Sequence, residues 1–294
     1  MPSFSKLSLQ TQGMCLFLCT LMVFSFYDAF AKAMVAHHSP VVVNLSRYIS
    51  FNVLAAIWLV HLLRTAPQPV LLAPLLRRKA LWMRSVCIAM VGTCFMAALV
   101  TMPLAEATAI YFTAPLLMVA LSSKWLGEQV RRPQWLAVWL GFAGMLLIVR
   151  PGSELPLVGV LLMAVSAAGY AVFQLLTRKL AGQIPAPVQY AHMAWVCMLV
   201  TLGTMVAMWP SRWPTAAEWG VLFLGSIASC VGQLTMLAAY KRVAASTLGP
   251  LNYLQLLMAV AVSAWWFGLV PDALTLVGTA LIAVAGIYLA WSRR

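Results

Sequence analysis

The chain has 294 residues, of which 63% are hydrophobic and only 9% charged, and its mean hydropathy is +0.92. A soluble domain carries about 25% charged residues, so composition excludes one and makes this a membrane protein. The net charge of +13 comes without zinc-finger spacing or an aromatic RNA-binding motif, so it calls for anionic membrane lipid rather than nucleic acid.

Cut at polar and proline-containing breaks, the sequence predicts ten spans, near residues 13–36, 41–63, 81–101, 106–125, 134–149, 155–180, 187–208, 218–240, 244–268 and 273–291. Most approach the roughly 20 residues that cross about 30 Å of hydrocarbon. Continuous apolar runs favour helices over the alternating strands of a barrel. The first run lacks a small-residue cleavage site and is expected to stay as a span.

Span one carries SFYDAFAK, residues 25–32. Asp28 and Lys32 are four apart, so they share a helical face, with the acid N-terminal as the better-oriented pair requires. A charge at mid-bilayer costs at least about 3 kcal/mol, and each needs a partner or water. Arg47, about six residues into span two, lies at a depth similar to that of Lys32. Two readings stay open: an ion pair that fixes span one against span two, or an Asp28 that faces a water-filled path and meets an ammonium or works a gate while Lys32 or Arg47 meets a carboxylate. Arg47 is read as structural. Tyr27 precedes Asp28 and is a candidate to line the same path.

Further along, Tyr111 in span four, Tyr170 and Gln174 in span six, His192 in span seven, Gln233 in span eight and Asn252, Tyr253 and Gln255 in span nine are too deep to face lipid casually. They are candidates for a cavity. Asn252, Tyr253 and Gln255 follow Pro250, where a lost backbone hydrogen bond exposes a carbonyl. His192 has a proton-carrying reading beside that of a hydrogen-bonded interface residue. Trp195 lies well inside span seven and is expected to join the tyrosines in a cavity that accepts aromatic solutes or organic cations; packing is the alternative. Glu106 is expected beside outside water, and Glu128 is read as a helix-end salt-bridge residue near Arg131 and Arg132.

With a cytoplasmic N-terminus, the inside segments collect fifteen Lys and Arg: 6, 64, 77, 78, 79, 84, 124, 131, 132, 178, 179, 241, 242, 293 and 294. The outside segments hold two, Arg150 and Arg212. This positive-inside bias places both termini in the cytoplasm. The six cysteines all fall in spans, and Cys15 with Cys19 lacks the ligand set of a zinc site. Hydrolase, Walker A and dinucleotide motifs do not occur. No catalytic residue, metal or cofactor is expected.

An internal repeat is the most informative feature. PLLMVALSSKWLG at 115–127 overlays QLLMAVAVSAWWF at 255–267, and residues 13–32 overlay 159–178 with Tyr27, Asp28 and Lys32 on Phe173, Gln174 and Arg178. Five spans per copy is odd, so the second copy enters from the opposite face. The expected architecture is an all-α membrane protein of ten transmembrane helices in two inverted five-helix repeats, 1–150 and 151–294, of the kind transporters use for alternating access.

Residues 103–149, with Pro115, the helix-end LGE closing at Glu128 and the Gly141 and Gly144 pair, resemble the EamA-type members of the drug/metabolite transporter superfamily. Residues 240–259 resemble the corresponding stretch of the second half, while Leu269 stands where a glutamate is common. Arg47 also looks like a family arginine. Within the family the chain is most similar to YddG-type exporters of aromatic and other amino acids and of the cation paraquat. The resemblance implies an inner-membrane exporter of small metabolites, amino acids foremost. A multidrug or organic-cation exporter is the alternative, and a membrane-embedded lipid enzyme a third reading that lacks a reactive cluster. Small-molecule solutes and lipid are the expected partners, with no nucleic acid.

Overall fold

The structure, a computed structural model, describes residues 8–35, 37–66, 72–101, 110–149, 156–207, 209–267 and 272–291. Glu106, Arg150, Gly268 and the termini with Lys6, Arg293 and Arg294 lie outside the described residues, as does the side chain of Lys32. Among the described residues the helices are α1 Leu9–Val35, α2 Pro40–Thr65, α3 Leu72–Leu76, α4 Lys79–Thr101, α5 Ala114–Leu126, α6 Arg132–Val149, α7 Leu157–Leu180, α8 Ala186–Ala207, α9 Ala216–Arg242, α10 Ala245–Leu251, α11 Tyr253–Phe267 and α12 Ala273–Trp291. Four stretches, Leu9–Ala31, Pro40–Thr65, Leu157–Leu180 and Ala216–Arg242, are long and apolar enough by themselves to cross a membrane.

Helix ends follow local chemistry. Pro40 opens α2 where its missing N–H costs nothing. Gly127, at φ 66°, closes α5 in the left-handed conformation. Thr215 and Glu218 form a capping box that opens α9.

Two predicted spans are interrupted. The fourth turns at Phe112 and Thr113, because Pro115 has no N–H to donate to the Tyr111 carbonyl. The ninth breaks at Asn252, two residues after Pro250, and the Asn252 amide donates to the carbonyls of Leu248 and Gly249 at 3.3 and 3.2 Å. The two breaks meet: the Tyr253 hydroxyl donates to the Phe112 carbonyl at 3.0 Å. Gly141 on α6 leaves room for the Tyr253 ring, which a Cβ there would strike.

Helix packing repeats itself. α1 packs on α9 as α7 does on α4; α2 packs on α9 as α8 does on α4; α1 lies on α11 as α7 does on α5. α2 with α8, α6 with α12 and α5 with α10 are the remaining extensive pairs. At α6 and α12 the contact is reciprocal. A Cβ on Gly144 would lie 2.6 Å from the Gly278 carbonyl oxygen and 2.8 Å from Ile282, and one on Gly278 would lie 2.5 Å from the Gly144 carbonyl oxygen and 2.7 Å from Ile148. Residue numbers rise on one helix as they fall on the other, so these helices run antiparallel about a local two-fold axis across them.

Candidate functional site

Side-chain exposure around α1 separates lipid from path. Cys15, Cys19 and Met22 are exposed and share one face at i, i+4 and i+7, the stripe expected toward hydrocarbon. Asp28 is also exposed, yet at 100° per residue it lies about 150° around the helix from that stripe. On that side Gln255 of α11 reaches its carboxylate, so its exposure belongs to a recess between helices. On the same inward face, Phe17 and Leu21 are only 1% exposed. Access therefore runs from the C-terminal end of α1 and stops near Leu21.

Polar partners of this recess come from distant parts of the chain. Gln255 at the start of α11 donates from Nε2 to Asp28 Oδ2 at 3.1 Å, and the Ser25 hydroxyl donates to the Gln255 carbonyl at 3.2 Å. Arg47 on α2 donates from Nη2 to the Tyr48 hydroxyl at 2.7 Å. Its guanidinium carbon lies 4.7 Å from the Tyr48 ring centre and 5.5 Å from that of Tyr27. The charge of Asp28 reaches Arg47, Tyr27, Tyr111 and Tyr170. Tyr111 and Tyr170 face each other at 5.2 Å between ring centres, and the Tyr170 hydroxyl accepts from Gln174 Nε2 at 2.7 Å. A carboxylate, a guanidinium and a run of tyrosine rings thus share one recess. Such a set recognises a small solute that carries opposite charges and an apolar body.

The end of the bundle that carries the basic helix termini is sealed. Glu128, just past α5, accepts from the backbone N–H groups of Ala245 and Ser246 at 3.0 and 2.9 Å, which caps α10. Arg178 Nε lies 3.7 Å from Glu128 Oε1, and Arg178 Nη1 donates to the Tyr240 carbonyl at 2.8 Å. Gln134 Nε2 donates to Ser246 Oγ at 3.1 Å. Tyr240, fully buried, meets Phe17 edge to face at 5.9 Å. Glu128 is thus a lock between α5, α7 and α10. Its ion pair is with Arg178, in place of the Arg131 and Arg132 expected from sequence proximity, because the chain folds α7 back across its end.

Of the sequence candidates, Tyr27, Asp28, Arg47, Tyr111, Tyr170, Gln174 and Gln255 gather along this recess and the plug beneath it. Asn252 and Tyr253 are buried at the helix breaks and hold backbone there. His192 is buried in the α4 to α8 contact, 2.8 Å from Ser85 Oγ through Nδ1 and edge-on to Trp82 at 4.5 Å. Gln233 on α9 is half-buried with Oε1 unpartnered. Trp195 is 50% exposed and heads an exposed stripe with Leu199, Leu202 and Val206 along α8. Arg84, counted with the inside loop charges, is fully buried within α4.

Apolar helices around a charged, solvent-reached recess sealed at one end define a membrane transporter. The family model of EamA-like transporters matches residues 11–150 and again 157–292. The chain belongs to that family, and so to the drug/metabolite transporter superfamily. It is 26% identical over 193 residues to an S-adenosylmethionine uptake transporter of Rickettsia conorii, covering 65% of each chain. It is 29% identical over 227 residues to the pseudopaline exporter CntI of Pseudomonas aeruginosa, covering 73% of this chain and 75% of that one. A riboflavin transporter of Rhizobium johnstonii is 27% identical over 66% of this chain and 64% of its own. The chain thus spans just under two thirds of the first and third of these relatives. A solved crystal structure superposes with a TM-score of 0.81 over 96% of this chain and 98% of that one at 19% identity, a likeness of fold alone.

Proposed function

We propose that the protein exports amino acids and related small metabolites across the inner membrane by alternating access, with ten transmembrane helices in two inverted halves, 1–150 and 151–294. The observation that carries the reading is Asp28, a carboxylate turned away from lipid and reached by solvent in a recess lined by Arg47 and tyrosines. It suits the ammonium of a zwitterion, with Arg47 for the carboxylate and the rings for an aromatic body. The exchange symmetry of the helix contacts and the antiparallel Gly144 and Gly278 contact support inversion. The basic helix ends support a cytoplasmic placement of the sealed face and both termini, which makes this the outward-open state. Pseudopaline export by CntI supports the outward direction. A second reading, export of an organic cation, draws on the tyrosine ring faces around one carboxylate.

Counterflow of labelled L-phenylalanine in proteoliposomes tests both, with paraquat as the competing solute. Asp28→Asn should lose at least about tenfold in exchange at normal membrane levels, since a hydrogen bond to a charged group contributes about 1.5–3 kcal/mol. The double variant Asp28→Asn with Lys32→Gln should remain inactive, because neutralising Lys32 cannot replace a solute contact. Recovery of wild-type exchange in the double variant would show that Asp28 serves an ion pair instead.

A further inference from the structure

Arg84 is 0% exposed at the junction of α4, α7 and α8. Its Nε donates to Thr177 Oγ1 at 2.8 Å and its Nη1 to the Gln189 carbonyl at 3.2 Å, while the guanidinium carbon lies 4.7 Å from the Phe173 ring centre. Nη2 has no partner, and Gln174 Oε1 and Gln189 Oε1 have none either. The ion pairs found among the described residues join Glu128 to Arg178 and Glu218 to Arg212 and His38, and none reaches Arg84. A guanidinium does not lose its proton, and an unpaired buried charge is the costliest arrangement available to it. The arrangement calls for a carboxylate that the sealed state does not supply.

Position in the repeat points to where that carboxylate comes from. Phe173 and Gln174 overlay Tyr27 and Asp28. Arg47 lies over the Tyr27 ring and Arg84 over the Phe173 ring. Each end of the bundle therefore carries a guanidinium stacked on the aromatic residue that precedes an inward polar group. At the open end, that group is Asp28. At the sealed end it is Gln174, one helical turn from Arg178 and its lock with Glu128.

We propose that Arg84 Nη2 and Gln174 Oε1, each buried without a partner, form a carboxylate-binding subsite that solute enters when the basic end unlocks. The proposal rests on the transport reading above and adds to it a residue and a ligand group. Carboxylate oxygens match the guanidinium edge in geometry and charge. One free nitrogen in neutral surroundings suits a single negative charge. Gln174 Oε1 accepts from an ammonium on the same solute, so a zwitterion satisfies both groups.

The test uses the reconstituted full-length protein and phenylglyoxal, which modifies arginine, with Arg84 followed by peptide mass spectrometry and the exposed Arg77 and Arg78 as controls. Arg84 should react as the basic end opens. L-phenylalanine and 3-phenylpropionate should slow that reaction about tenfold, within what one charge-assisted hydrogen bond supports, and phenethylamine, which has no carboxylate, should not. An Arg84 that never reacts while Arg77 and Arg78 do, or that reacts equally with and without the carboxylates, overturns the proposal. In counterflow, Arg84→Lys should keep and Arg84→Gln lose the preference for L-phenylalanine over phenethylamine. An unchanged preference in the glutamine variant also overturns it. Protection by 3-phenylpropionate without any exchange of L-phenylalanine would strike the amino-acid reading and leave the carboxylate subsite standing.

Discussion

Replacing Glu128 with glutamine should unlock the basic end. The carboxylate is 13% exposed and makes two hydrogen bonds to the Ala245 and Ser246 N–H groups besides its ion pair with Arg178. Glutamine keeps one acceptor oxygen, so one backbone bond survives in neutral form while the other N–H meets an amide nitrogen. Losing a hydrogen bond to a charged group costs about 1.5–3 kcal/mol. The ion pair, with Arg178 at 31% exposure, adds about 0.5–1 kcal/mol after solvent screening. The sum, about 2–4 kcal/mol against the sealed state, shifts the equilibrium toward opening by roughly 30- to 700-fold at 1.4 kcal/mol per decade. Leu248, fully buried in α10 behind the lock, reports this when replaced by cysteine in a background without the six native cysteines. Its alkylation by N-ethylmaleimide should quicken at least about thirtyfold in Glu128→Gln, the lower end of that shift. An unchanged rate in a folded variant would refute the role of Glu128 as the lock.

Further outcomes follow from packing and from charge placement. Gly144→Ala and Gly278→Ala should each destabilise the protein by about 1–3 kcal/mol through overpacking, with equal drops in Tm, and the double variant should lose less than the sum because one helix shift relieves both contacts. Markedly unequal drops would contradict a two-fold contact. A cysteine placed between residues 64 and 79 should resist an impermeant thiol reagent applied outside right-side-out vesicles; labelling there would reverse the proposed orientation.

Asp28 was legible in the sequence because its signal is local. An acid inside an apolar run is costly wherever the helix lies, so a partner or water follows from a single segment. The breaks at Phe112 and Asn252 have equally local causes in Pro115 and Pro250, although the sequence reading ran span four through its proline. Gln174 entered through the overlay on Asp28, again without knowledge of packing.

Arg84 escaped for the opposite reason. Counting basic residues near span ends treats each as a loop charge, and Arg84 stands five residues from the start of α4. The available warning was that no acid lies three or four residues away on either side, where Ala80, Leu81, Cys87 and Ile88 stand. Whether it reached out to the interface or turned inward depended on Thr177, Gln189 and Phe173, about a hundred residues further on. Trp195 shows the same dependence, since depth in a span says nothing about which face meets lipid. Hydropathy and charge, summed along short segments, were enough to determine a helical membrane protein and the cost of Asp28. Only the tertiary structure decided which helix faces meet, because contacts such as Glu128 with α10 and Gln255 with Asp28 join segments whose separation in sequence carries no record of their distance in space.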